Sequence, residues 1–255
     1  MNEVKAKKFL GQHFLTDESI ALRIVDSLSG RSSNVIEIGP GMGVLTKYLI
    51  EKQNLNFHVV EIDRESVVWL HEHYPTLDVI EGDFLKLDLS ALFHDSFAVI
   101  GNFPYNISSQ ILFRVFDCRN QAVEVVGMFQ KEVAERVAAG PGSKTYGILS
   151  VLLSAFYNIE YLFTVSEHVF NPPPKVKSAV IRLTRNDVTA LECDENLFVK
   201  VVKAGFNQRR KTLRNALRSA GLPIDAVDEM VLGKRAEQLS VDEFIQLTKT
   251  IQSCL

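Results

Sequence analysis

Short runs of β-branched residues alternate with segments of helical periodicity through the first half of this chain. This alternation is typical of a parallel sheet built from βα units, with helices covering the strands. The carboxyl ends of such strands meet at one edge of the sheet, where open α/β folds bind their ligands. The predicted strands are 34–38, 57–62, 77–81, 97–101 and 123–129, and the predicted helices are 44–52, 64–73, 108–116 and 131–138.

The next part of the chain predicts the closure of the sheet. After a loop at 140–143, we expect a helix at 148–156 and then strands at 161–165 and 176–183. Two strands joined without a helix between them are expected to be antiparallel to each other. The sequence therefore predicts a seven-stranded mixed sheet.

The last quarter of the chain predicts a separate helical domain. A polar stretch at 184–196 interrupts the apolar periodicity and is interpreted as a linker. Ser240 followed by Glu243 predicts a capping box at the start of the last helix. We expect an α/β domain over residues 1–184 and a small all-α domain over residues 185–255.

Composition excludes several classes of protein. The chain has 255 residues with 46% hydrophobic content, which is enough to bury a large core. Cys118, Cys193 and Cys254 are far apart in the sequence, so neither a disulfide framework nor a metal site is expected. With no signal peptide or membrane-spanning stretch, we expect a soluble, cytoplasmic protein with no membrane partner. No long heptad or unexplained apolar helix face is present, so we expect a monomer.

The first predicted strand leads into a glycine-rich turn, Glu37-Ile38-Gly39-Pro40-Gly41-Met42-Gly43. Glycines let a ligand approach the backbone closely, and the N-terminus of the following helix points at it. The spacing is GxGxG, whereas a site for a dinucleotide pyrophosphate has GxGxxG. The turn predicts a small-molecule cradle in which Gly39 and Gly41 bind the cofactor.

The next two predicted strands each lead to an acidic residue. Glu61 lies 22 residues after Gly39, where a carboxylate can accept hydrogen bonds from both hydroxyls of a ribose. Asp83 follows the third strand, where it can accept a hydrogen bond from an adenine amine. Taken singly, a surface glutamate and a turn aspartate are the alternatives. Together with the motif after the fourth strand, they predict S-adenosylmethionine as the cofactor.

The motif Asn102-Phe103-Pro104-Tyr105 follows the fourth predicted strand and indicates a pocket for methylating an exocyclic amine. The side-chain carbonyl of Asn102 can accept one amine hydrogen, and the backbone carbonyl of Phe103, held extended by Pro104, can accept the other. Tyr105 offers a ring face on which a base can stack. The alternative is an ordinary turn after a buried strand.

Positive charge is concentrated in two segments, although the net charge of the chain is −3. No acidic residue lies between Asn196 and Ile224, and such a segment can follow a phosphate backbone. The alternative is a solvated helix face. The cations of that segment are Lys200, Lys203, Arg209, Arg210, Lys211, Arg214 and Arg218, and those of the N-terminal segment are Lys5, Lys7 and Lys8.

Together these motifs closely resemble the small-subunit ribosomal RNA adenine N6,N6-dimethyltransferase family, and the match runs nearly end to end. The resemblance implies a class I S-adenosylmethionine-dependent methyltransferase fold with a Rossmann-like mixed sheet. It also implies dimethylation of two adjacent adenosines in the 3′-terminal hairpin loop of small-subunit (16S) rRNA, within a 30S assembly intermediate. The segments that carry the resemblance are 9–15, 37–43, 61–63, 101–108, 171–180 and 206–215.

The resemblance further implies roles for individual residues. His13 and Leu15 belong to an N-terminal motif that closes over the cofactor, and Phe170 is implied as a second aromatic residue on the target base. His13 stands where many members carry Asn, and Phe103 replaces the commoner Leu. The implied cofactor-binding residues are His13, Leu15, Gly39, Gly41, Glu61, Ile62, Asp83, Phe84 and Asn102, and the implied RNA-binding residues are Lys7, Lys8, Arg209, Arg210, Lys211 and Arg214.

Three other functions are weighed against this one. The erythromycin-resistance methyltransferases share the fold and modify a large-subunit rRNA adenine, but the arginine-rich run 206–215 argues against them. A non-enzymatic RNA-binding assembly or transcription factor with this fold is disfavoured by the intact 102–105 motif with Glu61 and Asp83. A nicotinamide dehydrogenase would need a proton-transfer residue that the sequence does not offer.

Overall fold

The computed structural model describes residues 4–255, and nine strands lie within them. Most of the longer strands are rich in β-branched residues, as expected for strands buried in a sheet. Their bounds are β1 (Phe14–Leu15), β2 (Asn34–Ile38), β3 (Asn56–Glu61), β4 (Asp78–Glu81), β5 (Phe97–Asn102), β6 (Ala122–Gln130), β7 (Tyr157–Val165), β8 (Phe170–Asn171) and β9 (Ser178–Arg185).

Seven of these strands form one sheet in the order β4-β3-β2-β5-β6-β9-β7, and β1 and β8 form a separate antiparallel pair. The pairs from β4 to β6 are parallel, whereas β9 is antiparallel to β6. The predicted seven-stranded mixed sheet is confirmed. The chain order reverses between β2 and β5, and such a reversal is where doubly wound sheets bind ligands.

Eleven α-helices lie within the same described residues. Short 3₁₀ turns occur at Lys8–Leu10, Phe84–Lys86, Glu167–Val169 and Ala236–Gln238. No helix of residues 4–255 is long and apolar enough to cross a bilayer. The helices are α1 (Glu18–Asp26), α2 (Thr46–Ile50), α3 (Arg64–His73), α4 (Leu89–Leu92), α5 (Ser108–Asp117), α6 (Lys131–Val137), α7 (Ile148–Ser154), α8 (Glu195–Asn207), α9 (Leu213–Ser219), α10 (Glu229–Gly233) and α11 (Val241–Gln252).

Local sequence signals explain where several helices begin. The Asp17 carboxylate accepts hydrogen bonds from the second and third backbone N–H groups of α1, and Asp63 caps α3 in a similar way. The predicted capping box of the last helix is confirmed, since Ser240 and Glu243 each bond the other's backbone N–H. Strand β2 and helix α3 have the bounds that the sequence predicts.

The chain folds as two compact units. The sheet unit comprises the residues up to Ala134 together with Ile159–Arg185, and the helical unit comprises Glu135–Asn158 and Asn186–Leu255. The helical unit therefore takes in the segment around α7 and the first two residues of β7, which precede β8 and β9. The expected division into domains at 1–184 and 185–255 concerns which parts of the chain fold independently, and it stays a prediction.

The Phe103 side chain is enclosed by the strands on either side of it. It is 1% exposed, and its ring packs edge-on against Phe129 with centroids 5.0 Å apart. A Cβ atom on Gly127 would lie 2.2 Å from the Phe103 ring, and one on Gly101 would lie 2.7 Å from the same ring and 2.7 Å from the Ile38 carbonyl oxygen. Both strand glycines are therefore needed to leave room for this ring, which fixes the loop after β5.

We expect Gly127→Ala to destabilise the protein by about 1–3 kcal/mol, because the added methyl group has no space beside the Phe103 ring. Urea unfolding followed by circular dichroism measures this. Gly233→Ala is the control, since nothing lies within 4 Å of a Cβ atom there, and it should change stability by at most about 1 kcal/mol. Equal stability of the two variants would contradict the proposed packing.

Candidate active site

The glycine turn after β2 lies beneath the aromatic side chain of Phe14. Gly41 has φ +57°, in the left-handed region that glycine adopts without strain, and a Cβ atom there would lie 2.8 Å from the Phe14 ring. Gly39 also has a positive φ and approaches Pro104 of the loop after β5. The turn therefore exposes main chain to the space between β2 and β5.

The Glu61 carboxylate at the end of β3 is held by main-chain donors. It is buried and accepts hydrogen bonds from the N–H groups of Gly41 (3.0 Å), Ile62 (2.9 Å) and Asp63 (2.8 Å). Burial raises the pKa of Glu61, and these bonds oppose the rise. A carboxylate has about four lone-pair directions, so three bonds leave about one for a ligand hydroxyl. Accepting both ribose hydroxyls would require Glu61 to give up a main-chain donor or share one lone pair.

The Asn102 amide at the end of β5 is oriented by the N-terminal segment. Its Nδ2 donates to the backbone carbonyl of His13 at 2.9 Å. Because the amide nitrogen is used in this way, Oδ1 is the free end, and it accepts no hydrogen bond within residues 4–255. The Phe103 carbonyl likewise accepts none within the described residues. The site therefore presents two oxygen acceptors on neighbouring residues.

The Tyr105 ring lies beside the His13 ring, with centroids 5.3 Å apart and planes inclined by 31°. Its hydroxyl shares a hydrogen bond of 2.5 Å with Ser178, at the start of β9. Burial raises the pKa of the Tyr105 phenol, and the bond to Ser178 opposes the rise. The His13 Nδ1 atom in turn is 2.8 Å from the Pro172 carbonyl oxygen. The Tyr105 side chain is therefore held at its hydroxyl by Ser178, and one side of its ring lies next to His13.

These groups surround a single cleft in the sheet unit. Its empty volume is about 470 Å³, part of which is open to solvent, and this is within the usual range for a small-molecule site. Ile62, 54% exposed, provides an apolar surface at the cleft. The predicted site residues that line it are His13, Gly39, Gly41, Glu61, Ile62, Asn102, Phe103, Pro104 and Tyr105.

The comparisons with known proteins agree with this geometry. The sequence profile described as "Ribosomal RNA adenine dimethylase" matches residues 3–253. The chain belongs to that family. The Ribosomal RNA small subunit methyltransferase A of Cytophaga hutchinsonii is 63% identical over 98% of this chain and 99% of its own length.

Solved structures give the same fold. A dimethyladenosine transferase from Plasmodium falciparum has a TM-score of 0.79 at 26% identity, covering 94% of this chain and 98% of its own. The 23S rRNA methyltransferase ErmE has a TM-score of 0.73 at 24% identity, covering 94% and 99%, and supports the fold alone. The class I methyltransferase fold and S-adenosylmethionine as cofactor, both expected from the sequence, are confirmed.

The cleft suits S-adenosylmethionine by its own chemistry. The glycine turn offers main chain without side chains, Glu61 offers a lone pair to a hydroxyl, and Ile62 offers an apolar surface for a base. Within residues 4–255 no group of three or more His, Cys, Asp or Glu could hold a metal ion.

Four of the predicted cofactor-binding and catalytic residues do not line the cleft: Leu15, Asp83, Phe84 and Phe170. Leu15 is buried and lines a smaller adjoining cavity with Glu37. The Asp83 carboxylate caps a 3₁₀ turn by accepting from the Leu85 N–H at 3.0 Å, and Phe84 is buried. A bond from Asp83 to an adenine amine therefore stays a prediction.

Phe170 is 4% exposed and belongs to the hydrophobic core. It pairs with Leu15 between β8 and β1, which places its ring among core residues and outside the cleft. Stacking of Phe170 on the target base stays a prediction, and it requires the β8 segment to move.

The N-terminal segment is tied to the loop after β3. Lys7 forms ion pairs with Asp63 and with Glu65, the second at 3.1 Å, and Gln12 donates to the other Asp63 oxygen at 3.2 Å. The hydrogen bond to Asp63 raises the pKa of Lys7. Lys7 was predicted to bind RNA, whereas the structure gives its ammonium group two carboxylate partners beside the cofactor cleft. Gln12 and Asp63 lie in the predicted motifs 9–15 and 61–63, but the contact between them was not predicted, because it spans 51 residues.

The other predicted RNA-binding residues have different surroundings. Lys8 is exposed on the first 3₁₀ turn. Arg209, Arg210 and Lys211 lie in the turn between α8 and α9, and Arg214 on α9 forms an ion pair with Glu229. The sequence alone does not show that the basic cluster lies in a turn.

Lys7→Gln should raise the Kd for S-adenosylmethionine several-fold, because the N-terminal segment loses its attachment to Asp63 and Glu65. The salt dependence of RNA binding should stay unchanged. Isothermal titration calorimetry and RNA binding over a salt series measure the two effects. Lys5→Gln, an exposed change in the same segment, is the control. A loss confined to RNA binding would support the original prediction for Lys7.

Glu37 is buried at the end of β2 and accepts a hydrogen bond from the Thr46 hydroxyl at 2.7 Å. Burial raises the pKa of Glu37 to about 8, whereas an unfolded glutamate ionises near 4.5. Between these values the folded protein holds a proton that the unfolded chain has lost. The contribution of Glu37 to stability is therefore complete below pH 4.5 and is lost as the pH rises to about 8.

Glu37→Gln keeps the acceptor for Thr46 and cannot ionise. Relative to the wild type, we expect this variant to gain stability from pH 5 to pH 8, by on the order of 3 kcal/mol. Urea unfolding of both proteins at pH 5, 6.5 and 8 measures the difference. If the free energies of unfolding of the wild type and Glu37→Gln changed with pH in parallel, Glu37 would be ionised in the folded protein over this range.

Proposed function

We propose that this protein uses S-adenosylmethionine to dimethylate N6 of two adjacent adenosines in the 3′-terminal hairpin loop of small-subunit (16S) rRNA. The observation that carries the proposal is the Asn102 amide, whose nitrogen is committed to the His13 carbonyl and whose oxygen is free. The name of the Cytophaga hutchinsonii relative supports the small subunit as the source of the RNA. We infer a role in small-subunit ribosome biogenesis, acting on a 30S assembly intermediate, as a monomer in the cytoplasm.

The proposed mechanism uses two oxygen acceptors, on Asn102 and Phe103, and the ring face of Tyr105. An aminopurine nitrogen is a weak nucleophile, because its lone pair is delocalised into the ring. Asn102 Oδ1 and the Phe103 carbonyl accept its two hydrogens, and both stabilise the positive charge that develops on N6. Tyr105 holds the base by stacking. When bound, S-adenosylmethionine supplies a methyl group on a positively charged sulfur.

Catalysis in this scheme comes mainly from orientation. The methyl carbon would bond to N6 as its bond to the sulfur breaks and the sulfur keeps that electron pair. The surplus proton on N6 would then leave to solvent, so no side chain has to act as a strong base. The second transfer requires the monomethylated amine to rotate and space for one methyl group beside Asn102. These requirements fit a site built from hydrogen-bond acceptors.

The competing activity is methylation of a large-subunit rRNA adenine, because ErmE has the same fold. Labelled S-adenosylmethionine incubated with unmethylated small subunits, and in parallel with protein-free large-subunit rRNA, separates the two. We expect N6,N6-dimethyladenosine on the small subunit alone by nucleoside analysis. Product on the large-subunit RNA would overturn the proposed substrate, and cofactor binding without product on either would favour a non-catalytic RNA-binding protein.

Asn102→Ala should bind S-adenosylmethionine while methyl transfer falls roughly 10²- to 10³-fold, as for the loss of one preorganised hydrogen-bonding group at a reaction centre. Single-turnover transfer and cofactor titration measure the two quantities. Asn120→Ala, at an exposed turn before β6, is the matched control and should keep full activity. Retained transfer in Asn102→Ala would refute the role given to Asn102.

A further inference from the structure

The turn between α8 and α9, residues 208–212 in the helical unit, carries three consecutive cations whose surroundings differ. Arg209, Arg210 and Lys211 are all exposed. Of the three, Arg209 is the one whose side chain bonds another part of residues 4–255, because its Nη2 atom donates to the backbone carbonyls of Lys144 and Tyr146, the second at 3.1 Å. A guanidinium carries five N–H donors in a rigid fork, which suits it to hold two main-chain carbonyls.

The loop that Arg209 holds, residues 140–146, is also fixed from its other side. The Gly142 N–H donates to the Glu237 carbonyl at 2.6 Å. The Ser143 hydroxyl accepts from the Thr145 N–H at 3.1 Å and shares a hydrogen bond with the Thr145 hydroxyl at 2.7 Å. Tyr146 at the end of the loop is buried, with its ring 6.0 Å from that of Phe206. The main chain of the loop is therefore anchored on both sides of Lys144.

The Lys144 side chain is exposed on this anchored loop. Within residues 4–255, Lys144, Arg210 and Lys211 have no carboxylate partner. Three cations of the helical unit are paired with carboxylates: Arg214 with Glu229, Lys234 with Glu243, and Lys249 with Glu192. The Arg209 side chain joins the Lys144 loop to the 208–212 turn, so Lys144, Arg210 and Lys211 lie on neighbouring segments.

We propose that Lys144, Arg210 and Lys211 form one phosphate-binding surface for RNA, and that Arg209 positions Lys144 instead of contacting RNA itself. The proposal rests on the proposed function and deepens it. It adds Lys144, 65 residues before Arg209 in the sequence, and it removes Arg209 from the contacts with RNA. The partner that suits exposed, unpaired cations is the phosphate backbone of a nucleic acid. Each cation that binds a phosphate releases condensed counterions, which favours binding.

The first test uses Lys144→Gln, a surface change that leaves the anchored main chain intact. Binding to unmethylated small subunits is measured over a salt series. We expect weaker binding, and a slope of log K against log[salt] that falls in magnitude by about 1, as for the loss of one phosphate contact. Lys249→Gln is the matched control, since that lysine is paired with Glu192 and its slope should not change. An unchanged slope for Lys144→Gln overturns the proposal.

The second test is a double-mutant cycle with Arg209→Ala. If Arg209 acts through the loop, Arg209→Ala reduces the slope as much as Lys144→Gln, and the double variant reduces it no further. Additive losses, with a slope lower by about 2 in the double variant, would show that Arg209 contacts phosphate directly. Each single variant should raise KM for methyl transfer and leave kcat unchanged.

A third measurement does not depend on RNA or on activity. Hydrogen exchange of the amides at 142–146 should be faster in Arg209→Ala than in the wild type, and unchanged in Lys144→Gln. Unchanged exchange in Arg209→Ala would refute the positioning role. Failure of the proposed function is distinguishable, because it would appear as absent methyl transfer by the wild type while the salt-slope and exchange results could still hold.

Discussion

Parallel pairing of β2 with β5 is the constraint on which the rest of the site depends. Glu37 lies opposite Ile100 in this pairing, so the glycine turn and the 102–105 loop leave the sheet at the same edge. Order reverses between these two strands, and the crevice there is bounded by main chain on both sides. The glycine turn and the two free oxygen acceptors of Asn102 and Phe103 are neighbours because two distant stretches of sequence pair in this register.

Main-chain groups fix the orientation of functional side chains in both units. Three backbone N–H groups hold the Glu61 carboxylate, and one backbone carbonyl holds the Asn102 amide. In the helical unit, two backbone carbonyls hold the Arg209 guanidinium. Main-chain groups move less than long side chains do, so they orient these three side chains without additional polar residues. Because any residue can supply a main-chain N–H or carbonyl group, the sequence shows no motif for these contacts.

The sequence predicts those features whose signals are local. Strand β2 and helix α3 have the predicted bounds, because β-branched runs and capping residues act over a few positions. Helix α1 and the short pair β1 and β8 were not predicted, and two-residue strands have no periodicity of their own. The positions of Phe170 and Arg209 depend on contacts across 155 and 65 residues respectively, which no local pattern contains. The residues of the cleft were largely predicted because motifs follow strand ends.

The hydrogen bond from Asn102 to His13 couples the orientation of the Asn102 amide to the position of the N-terminal segment. His13 belongs to the segment that also forms one wall of the cofactor cleft. If that segment moved away from β5, the Asn102 amide would lose the partner that distinguishes its oxygen from its nitrogen. The orientation of the proposed acceptor therefore depends on a contact across 89 residues, and one wall of the cleft depends on the same segment.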